Sequence, residues 1–293
     1  MARSVGMSNC AAWVVRAGLL ALLMAAAPAH GSPLLRQASN WVYQLQGNVG
    51  EIAGTAADVA VIDWEHVGNR ATVERLKAKP GGGRRVVLSY LSIGEAESWR
   101  SYYRSCCAGK SPAWLTGRTQ GWSGNYVVKF WDPGWKAIVK ARLAQIIAAG
   151  FDGVYLDRVD TWEAFKGQGI NARAEMIRLV QELSAAARSA RPGFVILVQN
   201  GEELLPDAGY LAAIDGIAKE DLLYGVHHTS ARNDSGTIAE SVRLLKRAQA
   251  RGKAILVVEY LGSSDQIGRA RSELKGLGFV PCFAQRSLSS ARR

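Results

Sequence analysis

The stretch GFDGVYLDRVDTW, residues 150–162, ends a short apolar run at Asp157 and follows it with Arg158 and Asp160. A short apolar run without alternation is typical of a β-strand that is covered on both faces. A covered strand that leads directly into carboxylates indicates that it ends at a polar site. The fold therefore depends on whether other segments of the chain repeat this pattern.

Seven other segments also have the character of short, mostly buried strands. With Gly153–Asp157 included, the predicted strands are Trp41–Gln46, Asp58–Trp64, Arg85–Ile93, Gly153–Asp157, Phe194–Asn200, Gly216–Glu220, Ala254–Tyr260 and Phe279–Ala284. Helices are predicted between several of them, at Pro133–Ala149, Ala172–Ala190 and Thr237–Ala250. Asp132 can cap the first of these helices and Gly150 can end it.

Strands that alternate with helices predict a parallel sheet. Eight such strands close naturally into an α/β fold of the (β/α)8 TIM-barrel type, with a single domain over residues 32–293. A doubly wound open sheet is the alternative. No glycine-rich phosphate-binding motif follows the first strand, so the nucleotide-binding versions of that sheet lack support.

Residues 1–31 are predicted to be a signal peptide. Arg3 and Arg16 precede the apolar stretch AGLLALLMAAAPA, which is short for a membrane span and ends in small residues. The alternative is an uncleaved membrane anchor. We expect an exported protein, periplasmic or secreted, with no stable membrane insertion after the signal peptide is removed.

The composition is that of an ordinary globular protein with a basic surface. Hydrophobic residues make up 48% and the formal net charge is +11, which falls by two, to +9, when the signal peptide leaves. The basic residues are scattered along predicted helices and are not interleaved with aromatic residues. Solvated helix faces explain this pattern better than a nucleic-acid surface does. We expect a monomer without a nucleic-acid partner.

Three cysteines follow the signal peptide: Cys106, Cys107 and Cys282. An odd number in an exported protein leaves at least one cysteine unpaired. One hypothesis is that a member of the adjacent pair bridges to Cys282. The cysteine and histidine spacings do not match a metal site, and we expect no metal or other cofactor.

Carboxylates recur at or near the predicted strand ends, at Asp63, Asp157, Glu220 and Glu259, and Asn200 ends the fifth strand. In a parallel barrel these ends meet at one rim, where active sites lie. Crowded carboxylates raise the pKa of one another, as an acid catalyst of glycoside hydrolysis requires. The alternatives are helix caps, ion pairs with arginine, a magnesium site of the enolase type, or an amine-binding pocket.

The long segment 94–152 between the third and fourth strands is rich in aromatic residues. Segments of this length in a compact domain are usually functional, and this one would lie on the active-site face. Aromatic side chains stack on the apolar faces of sugars. The segment therefore fits a carbohydrate-binding pocket.

The chain also resembles a known family along nearly its whole mature length. The stretches YLSIGEAESWRSYY (90–103), GNYVVKFWDPGW (124–135), GFDGVYLDRVD (150–160), QNGEEL (199–204) and KEDLLYG (219–225) are similar, in this order, to glycoside hydrolase family 114. That group includes endo-α-1,4-polygalactosaminidases and the hydrolase domain of a bacterial exopolysaccharide-processing enzyme. The motifs are more specific for the superfamily than for the substrate.

The resemblance implies a metal-free (β/α)8 barrel with two catalytic carboxyls. By matching positions, Asp157 would be the nucleophile or charge stabiliser and Glu220 the general acid/base. The substrate-binding residues implied by position are Asp63, Tyr90, Tyr126, Asp160, Asn200, Glu259 and Tyr260. Arg158 stands where the characterised galactosaminidases tend to have Asn, which leaves the exact substrate open.

The function expected from these features is that of an exported endo-glycosidase. Its polysaccharide substrate would be an α-1,4-linked exopolysaccharide of galactosamine or N-acetylgalactosamine. Alternatives are a non-catalytic polysaccharide-binding barrel and a glycosidase for another α-linked polymer. An esterase or deacetylase lacks support because no G-x-S-x-G and no histidine-rich metal motif is present.

Overall fold

The computed structural model describes residues 1–2, 32–107, 109–227 and 230–291. The predicted signal peptide lies outside these residues except for its first two, so it stays a prediction. Within the described ranges, no helix has both the length and the apolar character needed to cross a membrane.

The described residues form eleven strands, ten α-helices and two 3₁₀ helices. The strands are β1 (Trp41–Gln44), β2 (Val59–Ile62), β3 (Val86–Ser92), β4 (Glu95–Glu97), β5 (Leu115–Arg118), β6 (Asn125–Val128), β7 (Gly153–Asp157), β8 (Val195–Gln199), β9 (Gly216–Glu220), β10 (Ala254–Glu259) and β11 (Val280–Phe283). The α-helices are α1 (Pro33–Arg36), α2 (Gly50–Ala53), α3 (Trp64–Val67), α4 (Arg70–Lys77), α5 (Ser101–Cys106), α6 (Pro133–Ala148), α7 (Ala172–Ala190), α8 (Ala208–Ala213), α9 (Ser235–Gln249) and α10 (Ser264–Gly276). The 3₁₀ helices are Val159–Phe165 and Glu202–Leu204.

Eight of the strands form one parallel sheet in the order β1-β2-β3-β7-β8-β9-β10-β11. The order follows the chain, so the sheet curls into a nearly closed barrel rather than the doubly wound alternative. The Trp41 indole N–H on β1 donates to the Val280 carbonyl on β11 at 3.0 Å and ties the first strand to the last. The predicted (β/α)8 barrel is confirmed.

The predicted strands and helices agree with the observed ones to within about two residues at each end. The differences have local causes. Asn200, predicted to end the fifth strand, has a φ of +57° and leaves the sheet after Gln199. Helix α9 begins two residues earlier than predicted because Asp234 caps it by accepting from the Thr237 backbone N–H.

The barrel interior is a packed core with a large aromatic content. The rings of Trp41, Tyr43 and Tyr155 pack against one another, with the Tyr43 and Tyr155 centroids 5.1 Å apart. Aliphatic side chains from the other strands fill the rest of this interior cluster. A second, larger cluster lies between the strands and the helices, so the strands are covered on both faces, as their continuous apolar runs predict.

The segment between β3 and β7 contains a small antiparallel sheet of order β4-β6-β5, which the sequence does not predict. We call this sheet the flap. It follows directly from the end of β3, and its first strand begins at Glu95. The Val128 backbone N–H donates to the Gly94 carbonyl at 3.3 Å and joins the flap to that strand end. The flap therefore lies at the rim where the carboxyl-terminal ends of the strands meet.

The cysteine hypothesis is wrong. Cys106 and Cys107 form a disulfide with each other, and Cys282 is a buried free thiol. The physical reason is that the barrel strands separate Cys282 from the other two cysteines. Cys282 belongs to the interior cluster, whereas Cys106 and Cys107 pack against the outer cluster on the other side of the strands.

Gly153, the first residue of β7, provides a test of the barrel packing. A Cβ there would lie 2.3 Å from the Val195 carbonyl oxygen and 2.8 Å from a Leu88 methyl group. We expect Gly153→Ala to lower the free energy of unfolding by about 1–3 kcal/mol, because the backbone of β8 has to move. Denaturant unfolding followed by circular dichroism measures this change.

Gly262 is the matched control, because no atom lies within 4 Å of a Cβ added there and its φ is not positive. Gly262→Ala should leave stability within about 1 kcal/mol of the wild type. Equal stability of the two variants would show that β7 and β8 do not pack as described.

Candidate active site

The alternation of side chains along β7 and β9 directs two carboxyls into the mouth of the barrel. Tyr155 and Ala218 belong to the interior cluster. Asp157 and Glu220 come two residues later on the same strands, so they point to the same side. Both side chains remain partly exposed at the rim. The two residues named as catalytic by resemblance therefore lie on the same side of the sheet, at the mouth of the barrel.

Each oxygen of Asp157 accepts one hydrogen bond. The Tyr90 hydroxyl donates to Oδ2 at 2.7 Å and the Arg158 backbone N–H donates to Oδ1 at 2.7 Å. Burial raises the pKa of Asp157 to about 7, against the lowering effects of the Arg158 charge and the Tyr90 hydrogen bond. The charges of Asp160 and Glu220 add to the rise. The carboxyl can therefore exchange a proton near neutral pH.

Glu220 is held by a second pair of donors. The Tyr260 hydroxyl donates to Oε1, and the Gln199 side-chain amide donates to Oε2 at 2.9 Å. Burial raises the pKa of Glu220, the Tyr260 hydrogen bond opposes the rise, and the charge of Asp221 adds to it. A carboxyl with a raised pKa retains a proton that it can give to a leaving group.

Four tyrosines support these carboxyls from the barrel interior, and we call them the tyrosine layer: Tyr43, Tyr90, Tyr155 and Tyr260. Tyr90 and Tyr260 each donate to one carboxyl. Tyr43 donates to the Gln199 side-chain oxygen at 3.3 Å, and Gln199 in turn donates to Glu220. Tyr155 lies two residues before Asp157 on β7, and burial raises its pKa, with the charges of Glu220 and Asp157 adding to the rise.

The chain turns sharply after three successive barrel strands. Arg158, Asn200 and Asp221 follow β7, β8 and β9 directly, and all three have positive φ, at 63°, 57° and 53°. Asn and Asp tolerate this left-handed region better than Arg does. The Asn200 side-chain oxygen accepts from the Glu220 backbone N–H at 3.0 Å and so fixes the end of β9.

Arg158 is held in its strained conformation by the flap. Its guanidinium pairs with the buried Glu95 at 2.7 Å, and Glu95 also accepts from Thr119 and Asn125, each at 2.9 Å. Gly94 permits this approach, since a Cβ there would lie 2.2 Å from the Arg158 carbonyl oxygen. The flap therefore positions the residues that follow Asp157.

Asp160 lies beside this ion pair at the start of a 3₁₀ helix. Its Oδ1 is 3.9 Å from the Arg158 Nε. Burial raises the pKa of Asp160, and the Arg158 charge opposes the rise. The structure therefore places Asp160 next to the catalytic candidates, and its role in substrate binding stays a prediction.

The C-terminal segment crosses the rim and contacts the other side of the site. The Arg286 guanidinium pairs with Asp221 at 2.8 Å and lies 4.5 Å from the centre of the Tyr260 ring. The Leu288 carbonyl accepts from the backbone N–H groups of Leu45 and Gln46. No sequence pattern indicates Arg286, because its place depends on how this segment returns across the barrel. Gln199 could have been predicted as a site residue from the alternation of side chains along β8, because it lies on the same inward side as Leu197.

Two predicted substrate-binding residues, Asp63 and Tyr126, interact with other residues in the structure. Asp63 accepts from the Glu65 backbone N–H at 3.0 Å as the cap of α3, and it pairs with Arg100 at 2.5 Å. Tyr126, on β6, stacks on Tyr103 with ring centroids 5.5 Å apart. Their roles in substrate binding stay predictions.

Glu259 requires a correction. Its side chain is 0% exposed and accepts from the backbone N–H groups of Leu223 at 2.7 Å and Tyr224 at 3.3 Å. Val258 and Tyr260 belong to the barrel interior, so Glu259 points to the opposite face of β10. Burial raises its pKa to about 8. Glu259 holds the loop after β9 and does not line the pocket.

The arrangement defines a class of enzyme. Two carboxyls with raised pKa values lie at the mouth of a parallel barrel, and each has its own hydrogen-bond partners. A glycosidase uses such a pair of carboxyls: one protonates the leaving oxygen, and the other attacks the sugar or stabilises its cation.

Comparison with known proteins agrees with this class. The model of glycoside hydrolase family GH114 matches residues 23–293, and the chain belongs to that family of glycoside hydrolases. An uncharacterized protein of Deinococcus radiodurans is 33% identical over 89% of this chain and 85% of its own length. Another, from Methanocaldococcus jannaschii, is 36% identical over 84% of this chain and 75% of its own length.

Solved structures confirm the fold. The glycoside hydrolase domain of PelA from Pseudomonas aeruginosa superimposes with a TM-score of 0.70, at 21% identity, over 86% of this chain and 97% of that domain. Ega3 of Aspergillus fumigatus, solved in complex with galactosamine, gives a TM-score of 0.67, at 18% identity, over 85% of this chain and 92% of its own.

The raised pKa of Asp157 predicts a stability cost. Between its ordinary pKa of 3.8 and the folded value of about 7, the folded state keeps a proton that the unfolded state releases. Stability should therefore fall as the pH rises through this window. We expect Asp157→Asn to raise the Tm at pH 8 and to lose this advantage below about pH 4. An asparagine can still accept from the Arg158 N–H and donate to the Tyr90 hydroxyl.

Asp234→Asn is the matched control. Hydrogen bonds from Thr237 lower the pKa of this exposed helix cap, so neutralising it should give no gain at pH 8. Thermal unfolding followed by circular dichroism at several pH values measures both variants. A Tm for Asp157→Asn at or below that of the wild type at pH 8 would contradict the burial of its charge.

Proposed function

We propose that the protein is an exported endo-glycosidase that cleaves α-1,4-linked galactosamine or N-acetylgalactosamine polysaccharides. Membership of the GH114 family supports the hydrolysis of glycosides. The fold similarity to Ega3, solved with galactosamine, supports the class of sugar. The observation that carries the proposal is the pair Asp157 and Glu220, each held by its own tyrosine hydroxyl at the mouth of the barrel.

The two carboxyls have different roles in this proposal. Both carboxyls accept two hydrogen bonds and have raised pKa values, so the division of roles rests on the matching positions in the family. Asp157 reacts in its ionised form, which the Arg158 backbone N–H and the Tyr90 hydroxyl stabilise against burial. It acts as the nucleophile or as the stabiliser of the sugar's developing cation. Glu220 has a raised pKa, gives its proton to the glycosidic oxygen, and then takes a proton from water. The separation of the carboxyls selects between retention and inversion.

The local charge favours an amino sugar. Asp157, Asp160, Glu220 and Asp221 lie together at the ends of β7 and β9 and influence one another's pKa values. Arg158 and Arg286 offset part of this negative charge. A free amino group carries a positive charge at neutral pH, so the pocket attracts galactosamine although the surface as a whole is basic.

Substitution of either carboxyl tests the assignment. We expect Asp157→Asn and Glu220→Gln each to lower hydrolysis of partially deacetylated α-1,4-galactosaminogalactan by about 10³-fold or more, because each removes one half of the two-carboxylate mechanism. Mass spectrometry of the released oligosaccharides measures the rate, and circular dichroism verifies folding.

Glu163→Gln is the control. Glu163 is exposed, and within the described ranges its side chain forms an ion pair with Lys166 alone. It should retain the activity of the wild type. Full activity in Asp157→Asn or Glu220→Gln would remove that residue from the mechanism. Hydrolysis of a different α-linked polymer by the wild type would correct the substrate and leave the two-carboxylate mechanism in place.

Chelation tests the prediction that no metal takes part. Within the described ranges, no group of three or more His, Cys, Asp or Glu residues is placed to hold a metal ion. We expect EDTA to leave the rate of hydrolysis unchanged, because the proposed mechanism uses only protein carboxyls. Loss of activity with EDTA that zinc or magnesium restores would contradict this prediction.

A further inference from the structure

We propose that a cavity at the rim, beside Trp99, is a distal subsite for one amino-sugar unit of the polysaccharide bound in the active site. This proposal rests on the proposed function and adds to it a second binding site. The cavity has a volume of about 490 Å³ and its lining includes Asp63, Glu65, His66, Glu97, Trp99 and Arg100. It lies on the side of the rim formed by the ends of β1 and β2 and by the flap.

Trp99 supplies a flat apolar surface at this cavity. Its side chain is 54% exposed, although an indole of this size is normally buried. One pyranose presents a face of C–H groups that packs on an indole ring, and the ring's negative face also attracts a nearby ammonium group. An exposed tryptophan that lines a cavity of this volume is therefore suited to bind a sugar.

The indole is fixed in position by the flap. A Cβ added to Gly124 would lie 2.9 Å from the Trp99 Cζ3 atom, so the ring packs directly against the glycine backbone. The Ser98 backbone N–H donates to the Gly124 carbonyl at 2.9 Å and holds the two segments together. A surface fixed before binding loses little entropy when a ligand packs against it.

The charge at this cavity favours a sugar with a free amine. Asp63, Glu65 and Glu97 supply three carboxyls, whereas Arg100 and Arg142 supply two guanidiniums. Burial raises the pKa of Glu97 against the lowering effect of Arg100, so Asp63 and Glu65 are the carboxyls that matter for a cation here. Burial opposes ionisation of Glu65, but the hydrogen bond from Ser101 and the charges of both arginines outweigh it and lower its pKa. An ammonium group therefore meets a carboxylate here at neutral pH.

The cavity is connected to the catalytic carboxyls through Tyr90. The Arg100 guanidinium lies 5.7 Å from the centre of the Tyr90 ring, and the Tyr90 hydroxyl donates to Asp157. Arg100 itself lines the cavity. Tyr90 and Arg100 are both buried, so this contact is internal and a bound polymer would cross the rim above it. We expect a hexamer bound at Asp157 to be long enough to reach Trp99, and a dimer that fills only the catalytic site not to reach it.

The test measures binding in the inactive Glu220→Gln background, so that it does not depend on turnover. The probes are α-1,4-linked galactosamine dimers and hexamers, measured by isothermal titration calorimetry. We expect Trp99→Ala to raise the Kd of the hexamer roughly tenfold, as loss of one stacking contact implies, and to leave the Kd of the dimer unchanged. Trp99→Tyr should restore most of the hexamer affinity.

Trp122→Ala is the matched control. Trp122 is 57% exposed and lies in the turn between β5 and β6, but it does not line the cavity. It should leave both Kd values unchanged. N-acetylation of the hexamer should weaken binding and reduce the effect of Trp99→Ala, because the amide carries no charge.

The outcomes separate this subsite from the proposed function. A hexamer Kd that Trp99→Ala does not change, or changes no more than Trp122→Ala does, overturns the subsite. Binding of the hexamer that depends on Trp99, without hydrolysis by the wild type, overturns the proposed function and supports the subsite. Absence of binding by both the galactosamine hexamer and its N-acetylated form in the Glu220→Gln background overturns both.

Discussion

Burial of two carboxyls at the mouth of a barrel is the constraint on which this site depends. Water would stabilise the ionised forms of Asp157 and Glu220, and the barrel removes most of it. One tyrosine hydroxyl per carboxyl compensates in part, from Tyr90 to Asp157 and from Tyr260 to Glu220. The result is a pair of carboxyls with raised pKa values, a condition that suits proton transfer near neutral pH.

Much of the surrounding structure holds this pair in place. The order of the barrel strands brings β7, β8 and β9 side by side, and the backbone turns through a left-handed residue after each one. The flap secures Arg158 through the buried Glu95, and the C-terminal segment brings Arg286 to Asp221 and Tyr260. Strain next to the catalytic candidates is thus balanced by contacts from distant parts of the chain.

The barrel could be predicted because its signals are local, since each short apolar run marks one strand. The same pattern offered four acids at strand ends, and the resemblance to the family, rather than the pattern, selected Asp157 and Glu220 as the catalytic candidates. Glu259 was wrongly predicted to line the pocket, because a position at the end of a strand does not show which face of the sheet the side chain is on. Counting alternate residues from Tyr260 would have put Glu259 on the outer face. The flap and Arg286 depend on contacts between distant segments, which neither spacing nor periodicity contains. The Cys106–Cys107 disulfide joins adjacent residues, but a count of three cysteines does not say which two of them pair.

The pH dependence of kcat/KM in Tyr90→Phe and Tyr260→Phe tests the central claim most directly. The claim is that the Tyr90 hydroxyl stabilises the ionised form of Asp157 and that the Tyr260 hydroxyl stabilises the ionised form of Glu220. The wild type should give a bell-shaped profile with two limbs, one for each carboxyl. Each variant should move one limb to higher pH, and the two variants should move different limbs. Movement of the same limb by both variants, or movement to lower pH, would contradict the account.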